Sequence, residues 1–504
     1  MPEQVSPRPC NVGDHHPQPG SGTRHGLRDT PATTTGDPMA SAVVTPQRQG
    51  RLRGKGRQAL GLAGMCLGTA LIVMEASVVN VAVPTIRADL GTGPAAGLWV
   101  VDAYTLSFAA LLLSAGRLGD RIGARRAYLT GLVVFSCASL VCALAGSTAM
   151  LIAARVAQGV GAALLAPAPL TLITRTYTGA AARARAVSVW VSVGGIGFML
   201  GPLLSGVLVG SLGWRSIFFL NIPVTVLTGW LLVRFVDETT PRAVSFDLSG
   251  QLLAVVGLTA VVWALVESGV DGWAAPRVLT ALLGGVAVLA GFLANQRRGA
   301  RRARQVLLPP SILATRPVLA GLLGGAVYNF TLYGMLIVYT FDFQEVRHYT
   351  VLQAGLAFLP LTAVATLTSA LVGGRFVHRY GPRAGLSVGM LICGIGLIVL
   401  SCGATSVPYP VVAVGFAGFA FGLNLAAPAQ TLAVMSFAPD EHKNMGSSAL
   451  NTARQTGGVI GVALLGTIGS GHLTAGTPIA MAIAVLACAT ALVGAMWLIP
   501  RRAD

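Results

Sequence analysis

The sequence predicts an all-α polytopic membrane protein: two six-helix bundles with two further helices inserted between them, fourteen transmembrane helices in total. Three observations predict it. The 504-residue chain is 54% hydrophobic and 11% charged, with mean hydropathy +0.70, whereas soluble domains carry roughly 25% charged residues. Fourteen apolar runs approach the ~20 residues that a bilayer crossing requires. Two segments also recur across the chain at nearly one spacing.

In chain order the runs lie at about 59–84, 97–118, 126–146, 149–174, 185–212, 214–236, 247–268, 276–296, 317–343, 351–376, 384–404, 408–437, 447–470 and 477–499. Before them, residues 1–57 are rich in Pro, Gly, Thr, His and Arg without apolar periodicity, and read as a disordered cytoplasmic tail with no signal-peptide core. Within that tail "GDPMAS" offers Met39 as a second candidate start. The expected divisions are 58–236 for the first bundle, 237–305 for the inserted pair and its basic loop, and 306–504 for the second bundle.

The net charge of +17 raises the question of a nucleic-acid partner. Its placement answers it. Loops after even-numbered spans hold Arg121, Arg125 and Arg126, then Arg183 and Arg185, then Arg297, Arg298, Arg301, Arg302 and Arg304. The opposite loops hold Arg87, Arg215, Arg277 and Arg347, one apiece. This is positive-inside asymmetry; it puts both termini in the cytoplasm of a cell-membrane protein and points away from nucleic acid. Six of seven cysteines (Cys66, Cys137, Cys142, Cys393, Cys402, Cys488) fall in predicted spans and Cys10 in the tail, so no structural disulfide is expected.

The repeat pairs "GRLGDRIGAR" (116–125) with "GRFVHRYGPR" (374–383), and "GAALLAPAPLTL" in span 4 with "GLNLAAPAQTL" in span 12. Parallel duplication of a six-helix unit explains both, and duplicated halves in a bilayer point to alternating access around a site between them.

Charges inside the spans are few. Each arginine at a lipid-facing centre costs roughly 2.5–3.5 kcal/mol, so Arg155 and Arg454 should face partners or water. The embedded acids are Glu75 in "GTALIVMEASVVNVAVP", Asp102, and, near outer span ends, Glu267 and Asp342. With spans 1 and 4 both run from the inner side, Glu75 and Arg155 differ in depth by about two or three turns. A direct pair and a bridge through water or Gln158 both stay open. Burial disfavours the charged carboxylate while a nearby arginine favours it, and that balance suits a group that takes up and releases a proton. Glu75, Arg155 and Asp102 are therefore the proton-coupling candidates, against the alternative of static helix locking. Asn80, Gln158, Asp342, Asn451, Arg454 and Gln455 are candidates for lining a substrate cavity. In the turn after span 2, Gly116, Arg117, Asp120, Arg121, Gly123 and Arg125 suit an inner gate whose charge network exists in one conformation; His378 replaces the aspartate in the second copy. In "GGIGFMLGPLLSG", Gly197, Gly201 and Gly206 permit close packing and Pro202 a kink.

These residues resemble the major facilitator superfamily, in particular its fourteen-helix drug:proton antiporter branch, over residues 58 to 500. "MEASVVNVAVP" is similar to that branch's helix 1 motif, "GRLGDRIGARR" to its signature loop, and "RVAQGVGA" to its helix 4 motif. "GFMLGPLLSG" resembles the helix 5 motif associated with antiport, and "LNTARQTGGVIGVALLG" the usual helix 13. The text is also similar to actinomycete antibiotic exporters of the methylenomycin-resistance kind. The resemblance implies two bundles around a central cavity, efflux of an amphipathic small molecule driven by proton entry, coupling assisted by Arg155, and an inner gate assisted by Asp120. Two departures stand out: glutamate at position 75 where the branch usually has aspartate, and Ser205 before Gly206 where paired glycines are common.

Other classes fare worse. Uptake of a metabolite is disfavoured by the helix 5 motif, and a non-transporting sensor by the lack of an attached signalling domain. Neither HExxH nor GxxxxGK[ST] occurs, so zinc hydrolysis and nucleotide drive are not expected, and the reading is of a non-enzyme with no cofactor or metal. The expected partners are the small-molecule substrate, protons and the lipid bilayer, with a monomer as the functional unit.

Overall fold

The computed structural model describes residues 46–241, 246–302, 304, 306–402, 407–439, 443–471 and 475–501. Most of the expected tail, with Cys10 and Met39, lies outside them.

Among the described residues the chain is helical, with no strand. Before the insertion come α1 (Pro46–Leu90), α2 (Pro94–Ile122), α3 (Ala124–Ala143), α4 (Thr148–Leu165), α5 (Ala168–Thr176), α6 (Ala180–Leu212) and α7 (Arg215–Phe235). The inserted pair is α8 (Leu248–Asp271) and α9 (Pro276–Arg301). After it come α10 (Pro310–Ala314), α11 (Arg316–Phe341), α12 (Val351–Ala357), α13 (Leu359–Thr368), α14 (Gly374–Ser401), α15 (Tyr409–Phe437), α16 (Lys443–Gly471) and α17 (Gly476–Leu498). The boundaries follow local chemistry. Ser147 caps α4 by accepting from Met150 N–H, Asp247 caps α8 through Gly250 N–H, and Thr350 with Gln353 forms a capping box on α12.

Eleven described helices are long and apolar enough to cross a bilayer, or twelve if the two bent parts of α6 form one span. The expected count of fourteen is not reached by that measure, for two physical reasons. The expected spans 351–376 and 384–404 fall in one continuous stretch, Val351–Ser401, although Gly381 interrupts its helix at φ 81°. The expected thirteenth span is α16, whose first half carries Asn451, Arg454 and Gln455, and it is not among the eleven. Gly381 and Gly123 (φ 100°) occupy the same place in the two repeated segments. A left-handed backbone at both explains why that position is glycine in each copy.

Helices before the insertion pack among themselves, α3 against α4 and α7, and α2 against α4; those after it do likewise, α14 against α15 and α17, and α11 against α16. α8 touches both sets: Gln251 Nε2 donates to the Ala110 carbonyl of α2 at 2.7 Å, Ser114 Oγ donates to Gln251 Oε1, and Gly269 lies against Thr467 of α16. α9 packs chiefly on α8, through Gly285 against Val261.

Contacts between the two sets cluster at the arginine-poor end. Arg87 Nη1 meets Glu345 Oε1 at 2.6 Å, Gln344 Nε2 donates to the Val81 carbonyl at 2.8 Å, and Leu98 of α2 lies against Gly466 of α16. Deeper in, Phe198 of α6 stacks on Tyr333 of α11, with ring centroids 5.4 Å apart.

α6 bends by 43° between Ala180–Phe198 and Leu200–Leu212. Pro202 has no N–H for the Phe198 carbonyl, and Ser77 Oγ of α1 donates to that carbonyl at 2.9 Å instead. Gly201 admits the Ser77 hydroxyl, and a Cβ on Gly197 would lie 2.9 Å from Ala70 Cα. Gly206 and Pro202 receive α12, where a Cβ on Gly355 would lie 2.6 Å from the Pro202 carbonyl oxygen. The small residues of this segment are thus contact surface on two sides.

Close packing of this kind is testable at the α3–α4 crossing, where a Cβ on Gly161 would lie 2.7 Å from Phe135 N. Gly161→Val should lower stability by about 1–3 kcal/mol through overpacking, seen as a lower Tm of the detergent-solubilised protein. Gly284→Ala, where an added Cβ meets nothing within 4 Å, should leave Tm in place. Equal Tm values for the two variants would refute the packing at Gly161.

Candidate functional site

Glu75 and Arg155 are both fully buried, and they meet directly: Arg155 Nη1 to Glu75 Oε1 is 2.6 Å. The depth count made from sequence ran α4 in the wrong direction. Successive spans alternate, so α4 enters from the end at which α1 finishes, and Arg155, about two turns into α4, reaches along the helix axis toward Glu75. Arg155 Nε donates to the Val100 carbonyl of α2 at 2.9 Å, which fixes the same depth independently.

Around the pair lies a network drawn from five helices. Arg155 Nη1 also donates to Gln158 Oε1 at 2.7 Å, and Gln158 Nε2 donates to Ser139 Oγ of α3 at 2.9 Å. Asn221 Nδ2 of α7 donates to Glu75 Oε2 at 2.9 Å and to Ser139 Oγ at 3.2 Å. The Ser139 hydroxyl in turn donates to the Phe135 carbonyl at 2.8 Å. The Tyr104 ring of α2 lies 4.5 Å from the guanidinium carbon, held by its hydroxyl on the Ile72 carbonyl of α1 at 2.8 Å. Each carboxylate oxygen therefore has one donor, and Arg155 Nη2 has no acceptor. Desolvating two such ions costs several kcal/mol each, and only this density of hydrogen bonds makes the arrangement tenable.

Asn221, Ser139 and Tyr104 were not singled out from sequence. The signal for Asn221 was available, a lone amide in an apolar helix ahead of Pro223, but nothing local shows that it faces Glu75.

Asp102 is fully buried on α2, and neither of its oxygens has a hydrogen-bond partner. It stands one turn from Leu98, on the helix face turned to α16.

The candidate cavity residues divide. Asn451 is exposed and Arg454 and Gln455 are half-buried, whereas Gln158, Asn80 and Asp342 are buried and line no open space. Gln158 is taken up by the Arg155 network. Asn80 Nδ2 turns back to the Ala76 carbonyl at 2.7 Å, and Asp342 is held by Arg347 Nε at 2.8 Å.

At the arginine-rich end the turn between α2 and α3 is tied to both ends of the inserted pair. Glu238 accepts the Arg125 and Arg126 N–H groups at 3.0 and 2.9 Å, and Thr239 Oγ1 accepts the Ala124 N–H at 2.7 Å. These acceptors cap α3, where a carboxylate also complements the helix dipole. Arg117 Nη2 donates to the Val306 carbonyl on the far side of the insertion, and the Arg121 guanidinium lies over Phe246 at 5.4 Å. Asp120 is exposed and forms no ion pair among the described residues; with Gly116 it lines a small cavity between α2, α3 and α5. Nearby, burial raises the pKa of Asp247, but hydrogen bonds from Gln296, Gly250 N–H and Ser249 outweigh it and hold the carboxyl below its usual range. The six described cysteines are free thiols.

Two sets of membrane-crossing helices that meet at one end, with a buried acid–base pair inside one of them, define a polytopic membrane transporter. The sequence profile of the Major Facilitator Superfamily matches residues 65–462. The chain belongs to that superfamily, and it is a transporter and not an enzyme. It is 35% identical over 407 residues to the methylenomycin A resistance protein of Streptomyces coelicolor, covering 81% of this chain and 85% of the relative. It is 36% identical over 420 residues to the multidrug resistance protein Stp of Mycobacterium tuberculosis, covering 83% and 77%. The fold is similar to that of a bacterial homolog of the human lysosomal transporter Spinster, solved inward-facing and unoccupied, with TM-score 0.61, 18% identity, and coverage of 87% of this chain and 96% of that one.

The central pair can be tested by a mutant cycle. Arg155→Gln leaves Glu75 without its counter-ion and should cost about 3–5 kcal/mol, while adding Glu75→Gln should restore part of the loss. Thermal unfolding of the three variants in detergent measures both effects. A double variant no more stable than Arg155→Gln would show that the two side chains do not interact.

Proposed function

We propose that this transporter exports an amphipathic small molecule, an antibiotic or other toxic compound, in exchange for protons. Its relatives are named for antibiotic and multidrug resistance, which supports the efflux reading. One observation carries the proton reading: a carboxyl group fully enclosed on α1, held by a fixed cation and by one neutral amide. Intramembrane ionisable groups of this kind default to function.

The working bodies are residues 58–236 and 306–504, with the inserted pair 237–305 beside them, in a monomer of the cell membrane. The arginine-rich end and both termini face the cytoplasm. With the arginine-poor end joined, the cargo enters from the cytoplasmic side. Rocking then breaks the Arg87–Glu345 contact and admits outside water to Glu75. A proton taken up there discharges the carboxylate, while Arg155 keeps Val100 and Gln158 as acceptors; return to the closed outer end releases the proton inward. Asp102, with no partner for either oxygen, serves as a second protonation site at the seam of the halves. Asp120, unpaired in this state, engages when the cytoplasmic end closes.

The test is reconstitution in liposomes under an imposed pH gradient. Movement of cationic, neutral and anionic fluorescent amphiphiles is followed together with proton flux. The wild type should move at least one probe in the direction opposite to protons. Glu75→Gln should fall to the level of empty liposomes while keeping its fold, and Asp102→Asn should lower proton flux per molecule transported. Undiminished transport by Glu75→Gln would remove Glu75 from the proton path.

A further inference from the structure

Arg454 differs from Arg155 in a way that bears on what is carried. Its guanidinium has only distant neutral acceptors: Gln430 Oε1 at 3.5 Å from Nε, and the Ala427 carbonyl at 3.5 Å and Thr431 Oγ1 at 3.3 Å from Nη2. Charge-assisted bonds from a guanidinium to an anion run to about 2.7–2.9 Å, and Arg155 meets the Glu75 carboxylate at 2.6 Å. Among the described residues no carboxylate lies within ion-pair distance of Arg454. The site is nonetheless built. Gln430 is fully buried on α15 with its oxygen turned to Arg454, and its Nε2 has no acceptor. Tyr328 of α11 places its ring 5.7 Å from the guanidinium carbon. Three helices thus converge on one half-buried point with a full positive charge and an orphaned amide donor, and with no anion among the described residues to receive them.

A cation about three turns inside a membrane helix, lacking a counter-ion, is costly. An anion arriving from outside the protein relieves that cost. We propose that Arg454, Gln430 and Tyr328 form a subsite for a carboxylate group, so that the molecules exported are carboxylate-bearing amphiphiles. The planar guanidinium offers two parallel N–H bonds to a carboxylate, Gln430 Nε2 offers a third, and the Tyr328 ring offers a face to the adjoining apolar part. The subsite deepens the export reading and rests on it. It lies in the opposite half from Glu75, whose charge Arg155 already balances, so cargo and proton do not compete for one cation.

Equilibrium binding to the full chain in phosphatidylcholine nanodiscs, where no anionic lipid competes, tests this with three probes sharing one fluorophore. They are dansylphenylalanine (a carboxylate), its primary amide (neutral) and dansylcadaverine (a cation). The wild type should bind the carboxylate about tenfold more tightly than the amide, and the cation least. Arg454→Gln should abolish the preference with amide affinity unchanged and Tm not lowered, and Arg454→Lys should keep part of it. The proposal is overturned if the wild type binds the amide as tightly as the carboxylate or fails to bind the carboxylate. It is equally overturned if Arg454→Gln weakens all three probes alike. The titration uses no gradient, so Glu75→Gln should retain the preference even where it abolishes transport. Conversely, a wild type without the preference would overturn the subsite and leave gradient-driven export in exchange for protons standing.

Discussion

The ion pair between Glu75 and Arg155 is the constraint around which the first half is arranged. Two opposite charges at membrane depth must each be given enough partners to replace water: Val100 from α2, Gln158 from α4 and Asn221 from α7 bond the pair directly, and Ser139 from α3 holds Gln158 and Asn221 in place. A shift in any of these helices strands a donor or an acceptor in a low-dielectric interior. The half is therefore expected to move as one body, because its polar centre tolerates little internal sliding.

The second half is organised differently. Its interior holds an aromatic cluster of Tyr339, Phe343, Phe358 and Phe416, with ring centroids about 5–6 Å apart. Its one deep arginine stands at the edge of the packed region. One half is thus polar and internally neutral at its centre, and the other is apolar at its centre, with an arginine that has no ion-pair partner among the described residues. Contact between them is apolar where Phe198 meets Tyr333, and the ion pair that joins them, Arg87 with Glu345, lies at the arginine-poor end.

Most of the helices were legible because Gly, Pro and Arg clusters punctuate long apolar runs; the run marked at 214–236 became Arg215–Phe235, and that at 408–437 became Tyr409–Phe437. The run marked at 447–470 became Lys443–Gly471, although the polar residues of its first half keep that helix from being apolar enough by composition to count as a crossing. Within the site, Glu75 and Arg155 were visible as anomalies against hydrocarbon, but their separation was misjudged because depth depends on the direction of each span. Ser77 was invisible for another reason. A serine in an apolar helix is unremarkable until the proline on α6 that frees the Phe198 carbonyl is known to lie beside it. Partners contributed by distant helices leave no trace in local spacing.

The cap on α3 has a consequence for how such a chain can be dissected or shortened. Glu238 and Thr239 precede the inserted helices, Val306 follows them, and both sides hold groups of the turn between α2 and α3. The insertion is therefore not a detachable cassette. A twelve-helix chain made by excising 237–305 would strip α3 of its terminal acceptors and draw Arg117 away from its carbonyl, damaging a turn more than a hundred residues upstream of the cut. A viable deletion keeps both flanks and removes only the hairpin between them, treating 237–239 and 306 as parts of the first half that happen to be encoded at the borders of the insertion.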